Sequence, residues 1–256
     1  MFFTNLFESN LRTKHIVQEV IYYTNIDSTN DELWLLCKKK INTNRKLIVI
    51  TDNQKQGRGR GANEWFSKPG QSITCSVLLK NIFSSKQFNL NAILIPIAII
   101  KGIRKFTSIS LGIKWPNDIM YNNKKLGGIL IESQRIDNQI FLNIGIGLNI
   151  NECSQDFPDN LSNTAISLRE IAGHPIQREP LLACILNGLD KMIDEIDTAF
   201  LINTWMENCI HINQQISFRE NNKPIKGVFK TINEFGQAVI NNNNDYMHYD
   251  GAITVL

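Results

Sequence analysis

Between residues 113 and 150 the sequence leaves little choice of fold. Residues 126–136 and 139–150 are rich in Ile and Leu, 113–121 carries Ile113 and Ile119, and the dipeptides Asn122-Asn123 and Asp137-Asn138 separate the three. Asn and Asp tolerate the left-handed backbone of tight hairpin turns, so the spacing predicts three successive antiparallel strands. Upstream, residues 47–51 and 72–79 read as further strands. Thr29 and Glu32 form a capping-box pattern ahead of an apolar stripe at Leu33, Leu36 and Cys37, which predicts a helix. Residues 91–106 predict a mostly buried helix whose early turns Pro96 disturbs.

Beyond the hairpins, residues 151–163 contain Pro158 and several Asn and Ser without periodicity, and read as a mobile loop. Helices are predicted at 164–172, at 180–197 with Pro180 in the first turn, and in a short segment ending near 207. From residue 215 the texture changes to short strands at 215–219, 226–232, 237–240 and 253–256, the pattern of a small β-barrel of roughly 45 residues. This divides the chain into a domain at 1–208 and an appendage at 209–256.

A chain of 256 residues can bury a sizeable core, and 43% hydrophobic with 20% charged residues is ordinary for a soluble globular protein. The net charge of +3 is too small to argue for a nucleic-acid partner by itself. No apolar run reaches the ~18 residues of a membrane span, and the N-terminus lacks the marks of a secretion signal. The 5 cysteines are odd in number and widely spaced, as suits buried thiols in a reducing cytosol. Neither a P-loop, a serine-nucleophile elbow nor a zinc helix is present, and no metal-ligand spacing links the 4 histidines.

Four segments exceed what packing requires. In Gln54–Trp65, Gly57, Gly59 and Gly61 let the backbone approach a ligand, and Arg58 and Arg60 add positive charge, which suits an anion; a flexible basic loop is the plainer alternative. Asp27-Ser28-Thr29-Asn30 can cap a helix or hydrogen-bond a small polar ligand. Lys114-Trp115-Pro116-Asn117-Asp118 places a cation, an aromatic and an amide-carboxylate pair at a strand end. Gly127-Gly128, after Lys125, and Gly145-Ile146-Gly147, before Asn149, put paired glycines on adjacent strands and outline a slot for something that approaches the backbone.

Together, and in order, these motifs resemble biotin protein ligases: Asp27–Asn30, Gln54 with Gly57-Arg58-Gly59-Arg60 and Trp65, Lys114–Asp118, Lys125-Leu-Gly-Gly-Ile-Leu-Ile-Glu132 and Gly145-Ile-Gly-Leu-Asn149. Gly61-Ala62 departs from the family pattern, which puts a further phosphate contact in doubt, and Ile166 stands where Thr is common. The resemblance implies an α+β fold, a mixed sheet packed by helices as in class II aminoacyl-tRNA synthetases, with an SH3-like C-terminal barrel. It implies ATP-dependent activation of biotin to biotinyl-5′-AMP and transfer to a lysine of a biotin carboxyl carrier protein in the cytoplasm. A membrane and nucleic acid have no part, and a homodimer is left open.

By the same resemblance Ser28, Thr29, Asn30 and Gln54 hold the polar head of biotin. Its tail lies in the slot of Gly127, Gly128, Gly145 and Gly147 with Trp65 as a wall. Arg58, Gly59, Arg60 and Lys125 surround its carboxylate and the α-phosphate. Lys114, Asn117 and Asn149 join them on the ATP side, with residues 151–163 as a lid. Asp118 is either the base for the acceptor lysine or a carboxylate that orients Mg2+; no permanently bound cofactor is implied. With only 26 residues before Asp27, a ligase without repressor function is expected. A lipoate ligase of the same superfamily and a non-catalytic biotin or nucleotide sensor are the alternatives.

Overall fold

The computed structural model describes residues 1–39, 46–61, 63–220, 223–243 and 245–256. In chain order its elements are α1 (Thr4–Asn10), β1 (Glu19–Tyr23), α2 (Thr29–Lys39), β2 (Leu47–Thr51), β3 (Ile73–Lys80), α3 (Leu90–Thr107), β4 (Gly112–Lys114), β5 (Asp118–Tyr121), β6 (Lys124–Ile136) and β7 (Gln139–Leu148). There follow α4 (Leu168–Ala172), α5 (Arg178–Asp194), α6 (Thr198–Asn208), β8 (Gln215–Glu220), β9 (Lys223–Ile232), β10 (Ala238–Asn242), β11 (Asp245–Tyr249) and β12 (Ile253–Val255). The first seven strands form one mixed sheet in the order β1-β2-β3-β7-β6-β5-β4, with only the β1–β2 pair parallel. The last five form an SH3-like antiparallel sheet, β11-β10-β9-β8-β12.

Strand alternation sorts the core into two faces. Ile48 and Ile50, Cys75, Val77 and Leu79, and Ile144 and Ile146 belong to the large cluster that includes buried residues of α3 and α5. The opposite residues, Leu47, Val49, Leu78 and Phe141, pack with Leu33 and Trp34 of α2. That second face changes character along the strands. Past Leu78 it carries Ser76 and Thr74, which register against Gly145 and Gly147, and these in turn face Leu130 and Gly128. An 11-residue helix spans about 16 Å, so α2 covers the apolar end and its N-terminus stops at the polar, glycine-bearing end.

Both expected hairpin turns form, with positive φ at Asn122, Asn123, Asp137 and Asn138. The segment 113–121, expected as one strand, is two: Trp115-Pro116, joined by a cis peptide bond, lies in the turn between β4 and β5. Pro116 has no N–H for a ladder, which ends β4. The helix expected at 91–106 runs unbroken through Pro96, because burial of its residues outweighs the one hydrogen bond that proline removes. Thr29 does not cap α2. It is helical, Ser28 Oγ accepts from Asp31 N at 3.4 Å, and Glu32 instead accepts from the Tyr23 hydroxyl at 2.8 Å.

Residues 151–163 are docked, contrary to the mobile loop expected. Phe157 is buried, Lys68 pairs with Asp156, and Ser72 donates to the buried Glu152, whose carboxyl burial raises above its usual range. Single anchors of this kind have no periodic signature. Strand β11 has no signature in the sequence because its residues are mostly polar and exposed; Asn221 and Asn222, between two of the expected strands, lie outside the described residues. No helix among the described residues is long and apolar enough to cross a membrane.

Candidate active site

The uncovered end of the α2 face is a cleft of about 260 Å³. Its inner end is polar and internally bonded. Gln54 Oε1 accepts from Thr29 N at 2.8 Å and from Thr29 Oγ1 at 3.0 Å, while Ser76 Oγ lies 2.7 Å from Thr29 Oγ1 and 2.6 Å from Asn30 Oδ1. Ser28, Thr29 and Asn30 are all buried. An α-helix N-terminus, several hydroxyls and amides here offer both donors and acceptors to a small polar group.

The 57–65 loop is a small hairpin: Trp65 N donates to Gly57 O at 2.9 Å and Gly59 N to Asn63 O at 2.8 Å. Gly57 is required at this close crossing, since a Cβ there would lie 2.4 Å from Trp65 O. The hairpin lays the Trp65 indole across Gly147, as an apolar wall of the cleft. Ala62, part of the Gly61-Ala62 departure, lies outside the described residues.

At the mouth, Lys125 Nζ sits 2.7 Å from Asp118 Oδ1. Lys125 is held at its backbone by residues 164–166, donating to Thr164 O at 2.7 Å and accepting from Ile166 N at 3.0 Å. Arg60 lines the cleft without an ion pair within 4 Å among the described residues. Burial lowers its pKa from the usual value, against the pull of Asp118 and Tyr249. Lys114 and Asn117 also reach the cleft, with the Asn117 side-chain amide donating to Ile129 O.

The structure thus brings Ser28, Thr29, Asn30, Gln54, Arg58, Gly59, Arg60, Trp65, Lys114, Asn117, Asp118, Lys125 and Gly128 to one cleft. The arrangement differs from expectation at five places. Gly127 faces Leu148, whose Cδ2 would be 2.4 Å from an added Cβ, and is absent from the lining. Gly145 and Gly147 line the cleft as expected, but the space where a Cβ would stand is taken by Asn30 and Trp65, so these glycines admit the protein's own side chains to the cleft wall rather than forming an open slot. Asn149 is buried outside the cleft, its amide 3.4 Å from Lys125 O and 3.2 Å from Ile166 O, where it braces the start of β6. Arg58 is engaged by Asp31 and Glu132 at 2.6 and 3.0 Å. The 151–163 segment supplies no lining residue.

Sequence reading missed Ser76 and Thr74, although polar residues two apart in an apolar strand were a visible signal. It also missed Ala252 and Ile253, which the second sheet brings to the cleft without any motif to mark them. Trp115 joins the two parts: Nε1 donates to Gly251 O at 2.8 Å, and its ring packs at 5.7 Å from Trp205 and 6.1 Å from Phe229. Among the described residues no group of three or more His, Cys, Asp or Glu is placed to hold a metal ion.

Residues 22–151 match the model of the Biotin/lipoate A/B protein ligase family. The Bacillus spizizenii protein named Bifunctional ligase/repressor BirA is 35% identical over 182 residues, which cover 71% of this chain and 55% of that protein. The chain therefore spans about half the length of these bifunctional relatives. The Paracoccus denitrificans protein named Biotin--[acetyl-CoA-carboxylase] ligase is 25% identical over 221 residues, covering 84% of this chain and 90% of its own length. In fold, the chain is similar to the structure described as biotin protein ligase from Aquifex aeolicus in complex with biotin and ATP. The TM-score is 0.78 at 22% identity, covering 93% of this chain and 100% of that one. By its matched sequence and its sheet, this chain belongs to the biotin/lipoate A/B protein ligase family.

Proposed function

We propose that this chain is a biotin protein ligase. It joins biotin to ATP as biotinyl-5′-AMP and transfers the biotinyl group to a lysine of a biotin carboxyl carrier protein. The observation that carries the reading is the gradient along one cleft: hydrogen-bonding groups at buried Ser28 and Thr29 and half-buried Gln54, an apolar wall at Trp65, and the cations Arg60 and Lys125 at the mouth. Biotin has the same sequence of chemistry, a ureido head, an aliphatic chain and a carboxylate. The head of lipoate, a dithiolane, would leave the buried polar end unmatched, which disfavours the lipoate reading. A sensor would have no need of two cations and Asp118 around a reacting phosphate.

In the first step a biotin carboxylate oxygen attacks the α-phosphorus of MgATP and pyrophosphate leaves. Negative charge gathers where Arg60 and Lys125 stand, so positioning and electrostatic stabilisation supply the catalysis. In the second step the lysine amine attacks the acyl carbon and AMP leaves. That amine, with an ordinary pKa of about 10.4, must first lose a proton. Asp118 stands beside Lys125 to receive it or, in the first step, to orient Mg2+. Lys114 and Asn117 complete the nucleotide side. Residues 1–208 carry this chemistry and 209–256 close the mouth. All 5 cysteines are free thiols, which suits the cytoplasm, although only Cys75 is buried as expected and the other four are half-buried. Incubation with biotin, MgATP and a carrier domain, followed by a streptavidin blot, tests the proposal. Lipoate as competitor separates the two acyl groups, and absence of biotin-dependent pyrophosphate release would refute it.

A further inference from the structure

Glu132 closes the Lys125–Glu132 motif, yet it lies outside the cleft lining and has no part in the chemistry above. Residues 128, 130 and 132 share one face of β6. Gly128 and Leu130 line the cleft, and Glu132 stands one step behind them. There it joins three elements. Its Oε1 lies 3.0 Å from Arg58 Nη1, and its Oε2 accepts from Asn30 Nδ2 at 3.2 Å and Trp34 Nε1 at 3.1 Å. Across the strand pair its neighbour Asn143 donates to Asn30 O at 2.8 Å. The second Arg58 nitrogen is 2.6 Å from Asp31 Oδ1, on the first turn of α2.

Arg58 is therefore bracketed by two carboxylates, and the trio carries one net negative charge. A guanidinium so held has both terminal nitrogens committed and its charge already offset by two carboxylates, which leaves less of it for a phosphate. Two residues on, Arg60 has no such partner among the described residues and faces the cleft. The exposed Arg58–Asp31 pair would by itself add little stability. Glu132 differs, because Asn30 and Trp34 are buried donors that meet their acceptor in it.

We infer that Glu132 is a positioning residue. Through Arg58 it ties the 57–65 hairpin to α2, so that Arg60 and Trp65 face the substrate, and Arg58 serves as a strut rather than as a phosphate ligand. The kinetic consequence rests on the ligase reading; the structural one does not.

The test compares Glu132→Gln, Arg58→Met, Arg60→Met and the double variants, after thermal melts identify the folded ones. Asp31→Asn, an exposed change on the other side of the strut, stands in if Glu132→Gln does not fold. Glu132→Gln and Arg58→Met should each lower kcat/KM for biotin in pyrophosphate release by roughly ten- to a hundredfold, the scale of a misplaced site. Their double variant should be no worse than the worse single, since both cut one tie, whereas Arg58→Met with Arg60→Met should multiply. Amide exchange across residues 57–65 should quicken in Glu132→Gln and Arg58→Met and stay unchanged in Arg60→Met. Multiplying effects of Glu132→Gln and Arg58→Met, or a neutral Glu132→Gln beside a damaging Arg58→Met, would overturn the inference. If the wild-type chain releases no pyrophosphate with biotin, the ligase reading fails, and amide exchange alone still decides the strut.

Discussion

Gly147→Ala should disable the cleft from its floor. The added Cβ would lie 2.4 Å from Trp65 Cε2, 2.7 Å from Cζ2 and 2.9 Å from Cδ2. Carbon atoms settle at about 3.5–4.0 Å, so the indole must retreat by about 1 Å. An indole is rigid, and its backbone is tied to Gly57 O at 2.9 Å. The retreat therefore drags the 57–65 hairpin, Arg60 included. Overpacking of this kind costs about 1–3 kcal/mol, which for a chain of this size lowers Tm by about 2–12 °C. A displacement of about 1 Å at a reacting group can cost about a hundredfold in rate, so catalysis should fall much further than stability. Calorimetric titration with biotin and biotin-dependent pyrophosphate release measure the effect. Gly188→Ala, where nothing lies within 4 Å of the new Cβ, is the control and should match wild type in both. A Gly147→Ala protein that binds biotin and releases pyrophosphate as wild type would refute the account of Trp65 and Gly147 as wall and floor.

Lys125→Ala should leave the melting temperature within a few degrees, because the Lys125–Asp118 pair is partly exposed and worth at most about 1 kcal/mol. Pyrophosphate release should fall by about two orders of magnitude or more, and an unchanged rate would remove Lys125 from the mechanism. Arg178→Met takes the guanidinium partner from the buried Asp52 carboxylate, whose pKa burial would raise but Tyr22 and Arg178 hold below the usual range, and leaves the Tyr22 hydroxyl, Phe2 N and the chain's N-terminal ammonium on it. Urea unfolding should report a loss of about 1.5–3 kcal/mol, the worth of a hydrogen bond to a charged group. Buried His211 has its pKa pushed down to about 4 by burial and then by Lys114, against an ordinary 6.5. The unfolded chain thus takes up the proton first, so this contribution is complete above pH ~6.5 and is lost as pH falls towards ~4, at most about 3 kcal/mol. Glu152, with a raised value, works in the opposite sense, so the difference between wild type and His211→Gln across that pH range is the measurement. Parallel stability curves would contradict the assignment.

Local chemistry by itself determines much of this protein. Asn122-Asn123 and Asp137-Asn138 dictate hairpins because few other residues take a left-handed backbone cheaply. The glycine-arginine loop, the Lys114, Asn117 and Asp118 side chains, and Lys125 with Gly128 mark the cleft because cations, amide-carboxylate pairs and glycines are poor choices for packing a strand. What each marked residue does is another matter. Asn149 and Arg58 are the same residue types whether they meet a nucleotide or the protein's own carbonyls and carboxylates. Only the register of β6 against β7, and the end of α2 above them, places Asn149 behind the cleft and Arg58 between Asp31 and Glu132. The glycine pairs likewise announce a close approach, but the approaching atoms belong to Asn30 and Trp65, from segments more than 80 residues away. The docking of the 151–163 segment and the reach of Ala252 and Ile253 into the cleft are invisible in the sequence for the same reason. Periodicity and turn chemistry act over a few residues, whereas a partner's identity depends on chain separations that only the folded sheet closes.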